Sequence, residues 1–406
     1  MIEIIEEAGR VLPSGDTGIK FAFMNTPKRM SADSVRKYLE KILGDDVHAL
    51  RILSMANATL GVIQAGSLSV SAIGCALADA EGLNAKHAIK QVDRLISNKG
   101  VDACDLFTYW VPFVVGDRKD LVVAIDWTDF DADGHSTVCI SAITSHGRAT
   151  PLVWSTVEKA TLKGWRNIHE DTLLMLLAKI IPDGVKLLVL GDRGFGDTGL
   201  YSLLDELGFG YVIRFRGNIM VEATDGTTKP AKDWVPPNGR ALLLREAKVT
   251  NQRVKVNGVI CVKAKKMKDP WCLATNLPLT ASAAVKTYGR RFTIEERFRD
   301  SKDPRFGFGL SSTRVGNIER RDRLLLLDAF AGALLTLLGA AGEKIGLDRM
   351  LKANTVKRRT HSLLTQGFHY YRALPAMKAE RLEPLITAFA ELVRSHIVFR
   401  KAFGLI

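Results

Sequence analysis

Several large protein classes are excluded by what this chain has little of. Its 406 residues include only five cysteines, Cys75, Cys104, Cys139, Cys261 and Cys272. They are odd in number and form no C-x-x-C pair, which argues against a disulfide framework and structural zinc and implies a reducing compartment. No G-x-x-x-x-G-K-[ST] loop is present, so nucleotide hydrolysis has no support. His135, His146 and His169 are scattered without ligand spacing and read as surface or core histidines. Low-complexity tracts and fixed-period repeats are missing. The opening MIEIIEEAGR carries Glu3, Glu6 and Glu7 where a signal peptide needs positive charge and an apolar stretch. The longest apolar run, Leu324 to Gly342, contains Asp328 and several Gly and Ala, and reads as a buried helix rather than a membrane span.

What remains is a chain of ordinary globular composition, 47% hydrophobic and 25% charged, long enough for about two to three domains. Its formal charge of +13 is strongly basic. A basic field of this kind recruits a polyanion, with nucleic acid a better candidate than a membrane surface. From Arg314 onward there are 16 Lys/Arg against 8 Asp/Glu, so much of the excess lies near the C-terminal end.

Residues up to about Val115 read as helical. SADSVRKYLEKIL follows a capping Ser31 or Ser34, and NAKHAIKQVDRLISNKG runs from a capping Asn84 to Gly100. In the second, Ile89, Val92 and Ile96 form an apolar stripe, and Lys86, Lys90 and Arg94 stack at i, i+4, i+8. That basic row is either a solvated face or a track for a phosphate backbone. LVVAIDWT, STVCISAIT and TPLVWSTV then read as an antiparallel meander. The turn DFDADG resembles the start of a calcium loop, but position 12 is Ile140 and its flanks are strands, so it is a hairpin turn. A helix at IHEDTLLMLLAKII, a buried strand at KLLVLGD, a helix at TGLYSLLDELG and a strand at YVIRF follow. From about Arg216 to Lys268 the pattern is irregular and β-like, as expected of an insertion. WCLAT resumes a core strand, and a helix through YGRRFTIEERFRDSK ends before Pro304. The rest is mainly helical.

Three acids stand out. Asp126 interrupts the apolar run LVVAIDWT, and Asp192 ends LLVLGD. Each alone is explicable as a satisfied core acid or a strand-end cap, yet a carboxylate in a buried strand is costly unless paired or ligating. On the later helix, Tyr288, Arg291, Glu295 and Lys302 fall within roughly 60° of one another at helical spacing. They occupy the arc where burial is expected, whereas Lys286, Arg290, Arg297 and Asp300 take the solvent side. Three carboxylates without a Cys/His cluster suit hard divalent cations. A pair of such ions can stabilise both oxygens of an in-line phosphoryl displacement. Arg291, Tyr288 and Lys302 would then lie along a nucleic-acid strand.

The spacing Y-x2-R-x3-E-x6-K, met by Tyr288, Arg291, Glu295 and Lys302, resembles the signature of a subfamily of DDE transposases of bacterial insertion sequences. Asp126 matches the first acid, Asp192 in GDRGF the second, and the β-rich insertion lies between the second and third. The resemblance covers roughly residues 85–370 and implies an α/β fold: a ribonuclease-H-like catalytic core with a β-rich insertion, flanked by helical N- and C-terminal regions. It implies a helical DNA-binding region over 1–115, core over 116–215 and 271–309, an insertion over 216–270, and a basic helical region over 310–406. It further implies two Mg²⁺ ions, or Mn²⁺ in their place, held by Asp126, Asp192 and Glu295. The partners implied are double-stranded DNA with terminal inverted repeats and target DNA, bound by a homodimer in a synaptic complex. The setting is cytoplasmic and nucleoid-associated, without a membrane partner. Cleavage to a 3′-OH, a hairpin intermediate and strand transfer complete the expected chemistry. In relatives a tryptophan near the end of the insertion stacks on a flipped base, and Trp271 is the matching residue, its plainer reading being a core aromatic. A catalytically silent DNA-binding descendant and a stand-alone nuclease of the same fold are the alternatives.

Overall fold

Short helices open the described chain, and most begin where a side chain accepts an otherwise free amide. The computed structural model describes residues 30–44 and 46–394, so the reading of MIEIIEEAGR lies outside the described residues. Ser31 caps α1 (Ala32–Leu43) by accepting from Ser34, which decides between the two serines. α2 (Ala49–Ala65) and α3 (Val70–Glu81) follow. Asn84 caps α4 (Ala85–Ser97), which stops at Asn98, short of the expected Gly100, and Asp102 caps α5 (Ala103–Val115). The described residues divide into two compact units: those up to Asp117 together with those from Arg299, and Arg118–Phe298.

The helical unit is organised around α10 (Ile318–Lys344), packed against α2, α4 and the later helices α11 (Leu363–Ala373) and α12 (Ala379–Arg394). This is the long apolar segment expected to be buried. It is long and apolar enough to cross a membrane, and 89% of its apolar window is buried inside the structure. Glycine lets α10 and α11 touch. A Cβ on Gly339 would lie 1.9 Å from the Leu363 carbonyl oxygen, and one on Gly367 1.9 Å from that of Leu335. At the other end of α10, Arg323 donates to the carbonyls of Val101 (2.6 Å) and Ile96 (3.0 Å), tying it to the end of α4.

The second unit is built on an eight-stranded sheet. Its strands are β1 (Asp120–Phe130), β2 (His135–Ala142), β3 (Thr150–Glu158), β4 (Lys186–Gly191), β5 (Gly210–Phe215), β8 (Leu242–Arg245), β11 (Gly258–Val262) and β12 (Trp271–Thr275). They lie in the order β3-β2-β1-β4-β5-β12-β11-β8. The meander β1-β2-β3 is antiparallel, as its short turns require, and DFDADG forms the turn between β1 and β2 with Gly134 left-handed. β4 and β5 run parallel to β1. The connections carry α6 (Arg166–Ile180), which packs against β2 and β3, and α7 (Thr198–Glu206).

The stretch expected to be a β-rich insertion contributes strands to two sheets. Four short strands, β6 (Met220–Glu222), β7 (Thr228–Pro230), β9 (Lys248–Val249) and β10 (Val254–Lys255), form a small separate sheet. β8 and β11, however, pair onto β12 and extend the central sheet. Their apolar runs satisfy their backbone by joining an existing edge rather than closing a module of their own.

Against one sheet face pack α8 (Ala281–Gly289) and α9 (Thr293–Lys302). Ala284, Tyr288 and Ile294 meet Ala124, Leu190, Val212, Ile260 and Leu273 there. The expected single helix is interrupted: a tight turn, Arg290–Phe292, separates α8 from α9 directly after Gly289, a weak helix former. Burial along α9 also departs from the regular 100° projection. Arg297 and Asp300, expected in solvent, are buried, and Glu295, expected on the buried arc, is half exposed.

Candidate active site

Strand alternation sets the geometry. Val122 and Ala124 on β1, and Leu188 and Leu190 on β4, point to the face covered by α8 and α9. Continuing by two residues places Asp126 and the residue after β4, Asp192, on that same face. The parallel register pairs Ile125 with Gly191, so the two acids come one step later at neighbouring strand positions. Asp192 is held by its own loop: its Oδ1 accepts from the Gly194 amide at 2.7 Å. Gly196 lets this loop lie on β5, since a Cβ there would be 2.7 Å from Cβ of Phe215.

From the turn between α8 and α9, Arg291 reaches the acids. Its guanidinium donates one N–H to Oδ2 of Asp126 at 3.0 Å and another to Oε1 of Glu295 at 2.5 Å. Arg291 is itself buried, and its Nε has no hydrogen-bond partner among the described residues. The second Asp126 oxygen accepts from the Trp127 amide at 2.9 Å. Burial pushes the Asp126 carboxyl up to about 6; Arg291 opposes the shift, and the charges of Asp192 and Glu295 add to it. Asp126, Asp192 and Glu295 therefore share one electrostatic environment.

Trp271, half-buried on β12, meets Tyr288 edge-to-face at 4.8 Å between centroids, and Phe292 lies 6.0 Å away. Tyr288 is buried, and burial raises its hydroxyl pKa against the pull of Arg291 and Arg214. Trp271 thus has the packing of a core aromatic on one side and an exposed neighbour, Phe292, on the other. Lys302, on the last turn of α9, and the exposed row Lys86, Lys90 and Arg94 on α4 belong to the helical unit.

Two charged residues near the site were not singled out in the sequence. Arg214 interrupts YVIRF as Asp126 interrupts its own strand, so the same signal was available. It donates to the Pro270 carbonyl at 3.2 Å, beside Trp271. Glu170 on α6 accepts from the Trp127 indole at 2.6 Å. It sits among polar residues at a helix start, and nothing in its local sequence marks it as buried.

Among the described residues, no three His, Cys, Asp or Glu side chains are arranged to hold a metal ion; Arg291 occupies the space between Asp126 and Glu295. The donor set nonetheless fits a hard cation. It is all carboxylate oxygen, the ligand type that Mg²⁺ and Mn²⁺ prefer.

A mixed sheet in which Asp126 within β1 and Asp192 just past β4 stand at neighbouring positions, with Glu295 on the helix packed across them, defines an α/β protein with a carboxylate cluster bridged by Arg291. Residues 117–329, more than half of the chain, match the family described as transposase DDE domain, and the chain belongs to that family. It is a DDE-type transposase by descent, which makes DNA its substrate class. Comparison with curated proteins gives no match.

Proposed function

We propose that the chain cuts and joins the ends of a DNA element by metal-dependent phosphoryl transfer on a ribonuclease-H-like core. The strand order β3-β2-β1-β4-β5, with an antiparallel meander followed by parallel strands, supports the fold assignment. The observation that carries the activity is the shared field of Asp126, Asp192 and Glu295, with Asp126 and Asp192 at successive register positions of β1 and β4.

Asp126, Asp192 and Glu295 would hold two Mg²⁺ ions, or Mn²⁺; these ions supply Lewis-acid stabilisation of the attacking and leaving oxygens. Arg291 holds Asp126 and Glu295 until DNA is present, and a backbone phosphate then offers its guanidinium an alternative bidentate partner. Lys302 would contact the DNA backbone, and Trp271 offers a ring face on which a displaced base can stack; Tyr288, expected along the DNA strand, is buried edge-to-face against Trp271 and would support that ring instead. Release of the element through a hairpin, recognition of terminal inverted repeats, synapsis by a homodimer and Y-x2-R-x3-E-x6-K subfamily membership belong to this reading. The exposed row Lys86, Lys90 and Arg94 contributes phosphate contacts.

The experiment uses duplexes made from the inverted repeats flanking the gene, incubated with the full chain and Mg²⁺. Wild type should yield nicked ends, hairpins and strand-transfer products into a plasmid, while Asp126→Ala, Asp192→Ala and Glu295→Ala each yield none. Cleavage persisting in any of the three would refute the assigned roles, and nicking without strand transfer would reduce the protein to a nuclease.

A further inference from the structure

The sheet face opposite the acids carries a second polar arrangement. Trp127 follows Asp126 directly, so strand alternation sends its side chain away from Asp126 and toward α6. There its indole N–H donates to Oε1 of Glu170 at 2.6 Å. The Arg166 guanidinium lies 4.9 Å over the Trp127 ring and 3.8 Å from the same Glu170 oxygen. His169 meets the ring edge-on at 6.5 Å. Glu170 is 5% exposed. A carboxylate buried to that degree is a net cost unless its bonds are worth keeping.

The same turn of α6 grips the second acid-bearing segment. Asn167 donates to Oδ2 of Asp197 at 2.7 Å, and the other oxygen of Asp197 caps α7. Asp197 lies five residues after Asp192, at the end of the loop that positions it. One helical turn therefore holds β1 next to Asp126 and the loop after Asp192 through two separate side-chain hydrogen bonds. The Trp127 amide, which donates to Asp126, lies on the residue whose indole Glu170 anchors.

We propose that Glu170 is a positioning residue for phosphoryl transfer, holding Trp127 so that the Asp126 carboxylate keeps the orientation needed beside Asp192; the proposal rests on the transposase reading above. In this role Glu170 acts through Trp127 on β1, as hydrogen-bond partners behind a ligand do in metalloenzymes.

The test compares Glu170→Leu, which keeps bulk and loses the acceptor, Glu170→Gln, which keeps an acceptor oxygen, and Trp127→Phe, which keeps a ring and loses the donor. Asp126→Asn is run alongside. With the full chain, an inverted-repeat duplex from the gene's flanks and Mg²⁺, single-turnover cleavage at saturating DNA is expected to fall about 10- to 100-fold in Glu170→Leu and Trp127→Phe. DNA affinity should be unchanged, and the Mg²⁺ concentration for half-maximal rate should rise. Glu170→Gln should restore most of the rate, and Glu170→Leu combined with Trp127→Phe should be no worse than either alone. A wild-type rate in Glu170→Leu, or equal losses in Gln and Leu, overturns the proposal. Should Glu170→Leu fail to melt cooperatively, Trp127→Phe decides, an unchanged rate again overturning it. If Asp126→Asn is inactive while Glu170→Leu cleaves at the wild-type rate, only the positioning role falls; if Asp126→Asn cleaves as wild type, the transposase reading falls with it.

Discussion

Arg291 donates to Asp126 at 3.0 Å across 165 residues of chain, and with its other nitrogen bonds Glu295 one helical turn away. A single guanidinium thus spans two of the three acids. Arg291→Ala should leave the two carboxylates facing each other without a counter-charge. A hydrogen bond to a charged group contributes about 1.5–3 kcal/mol, so end cleavage at pH 7 should fall roughly 10- to 100-fold. In kcat/KM, which reports the free chain, the acid limb should also move to higher pH, because Asp126 loses the charge that holds its pKa down. Arg291→Lys, which keeps a charge but not the fork, should recover only part of the rate. Cleavage rates across pH check both.

Stability and activity should respond to pH in opposite directions. The Asp126 carboxyl lies at about 6 in the folded chain against an ordinary 3.8, and Glu170, raised mainly by burial, at about 7 against 4.5. Between these limits the folded state binds protons more tightly than the unfolded one. The contribution is therefore full below about pH 4 and lost as pH rises through 6 to 7. At about 1.36 kcal/mol per unit, Asp126 accounts for roughly 3 kcal/mol of this fall. Urea unfolding at a series of pH values should show it, and Asp126→Asn should flatten the part between pH 4 and 6. Cleavage, which needs the ionised Asp126, should rise over the same range.

The crossing of α10 and α11 leaves no space for a methyl group. Gly339→Ala and Gly367→Ala each push a Cβ into a backbone carbonyl, an obstruction that no rotamer relieves. Overpacking typically costs about 1–3 kcal/mol, and rigid backbone contacts belong at the upper end. Thermal melts should drop clearly for both, whereas Gly316→Ala, with nothing within 4 Å, should melt close to wild type.

Much of the sheet could be read directly. The apolar runs of β1, β4 and β12 and the turn chemistry of DFDADG depend on local spacing, and the structure bears them out. Ser31 and Asn84 cap where their side-chain chemistry suggests. The addition of β8 and β11 to the central sheet was not readable, because strand pairing across the insertion is a tertiary choice that short irregular runs do not encode. The tight turn at Arg290–Phe292 was missed for a related reason. Helical projection also shows one face only, and α9 is buried on more than one side: Arg297 and Asp300 lie inside while Glu295 is half exposed. Glu170 looked like an ordinary acid in the first turns of a helix. Only the packing of α6 on the sheet brings it to Trp127.

Binding to DNA should weaken steeply with salt, since each neutralised phosphate contributes about −0.9 to the log–log slope. If Lys86, Lys90 and Arg94 each contact a phosphate, replacing all three by Ala should make the slope shallower by roughly 2.7. Fluorescence anisotropy over a range of KCl concentrations measures this. An unchanged slope would return the row to the role of a solvated helix face.

The most direct measurement is anomalous diffraction from crystals of the full chain with end DNA and Mn²⁺. The expected result is manganese density bounded by Asp126, Asp192 and Glu295, with Arg291 moved from the acids to a phosphate. Manganese found elsewhere, or the three acids without manganese in crystals that still cleave their DNA, would contradict a shared metal centre.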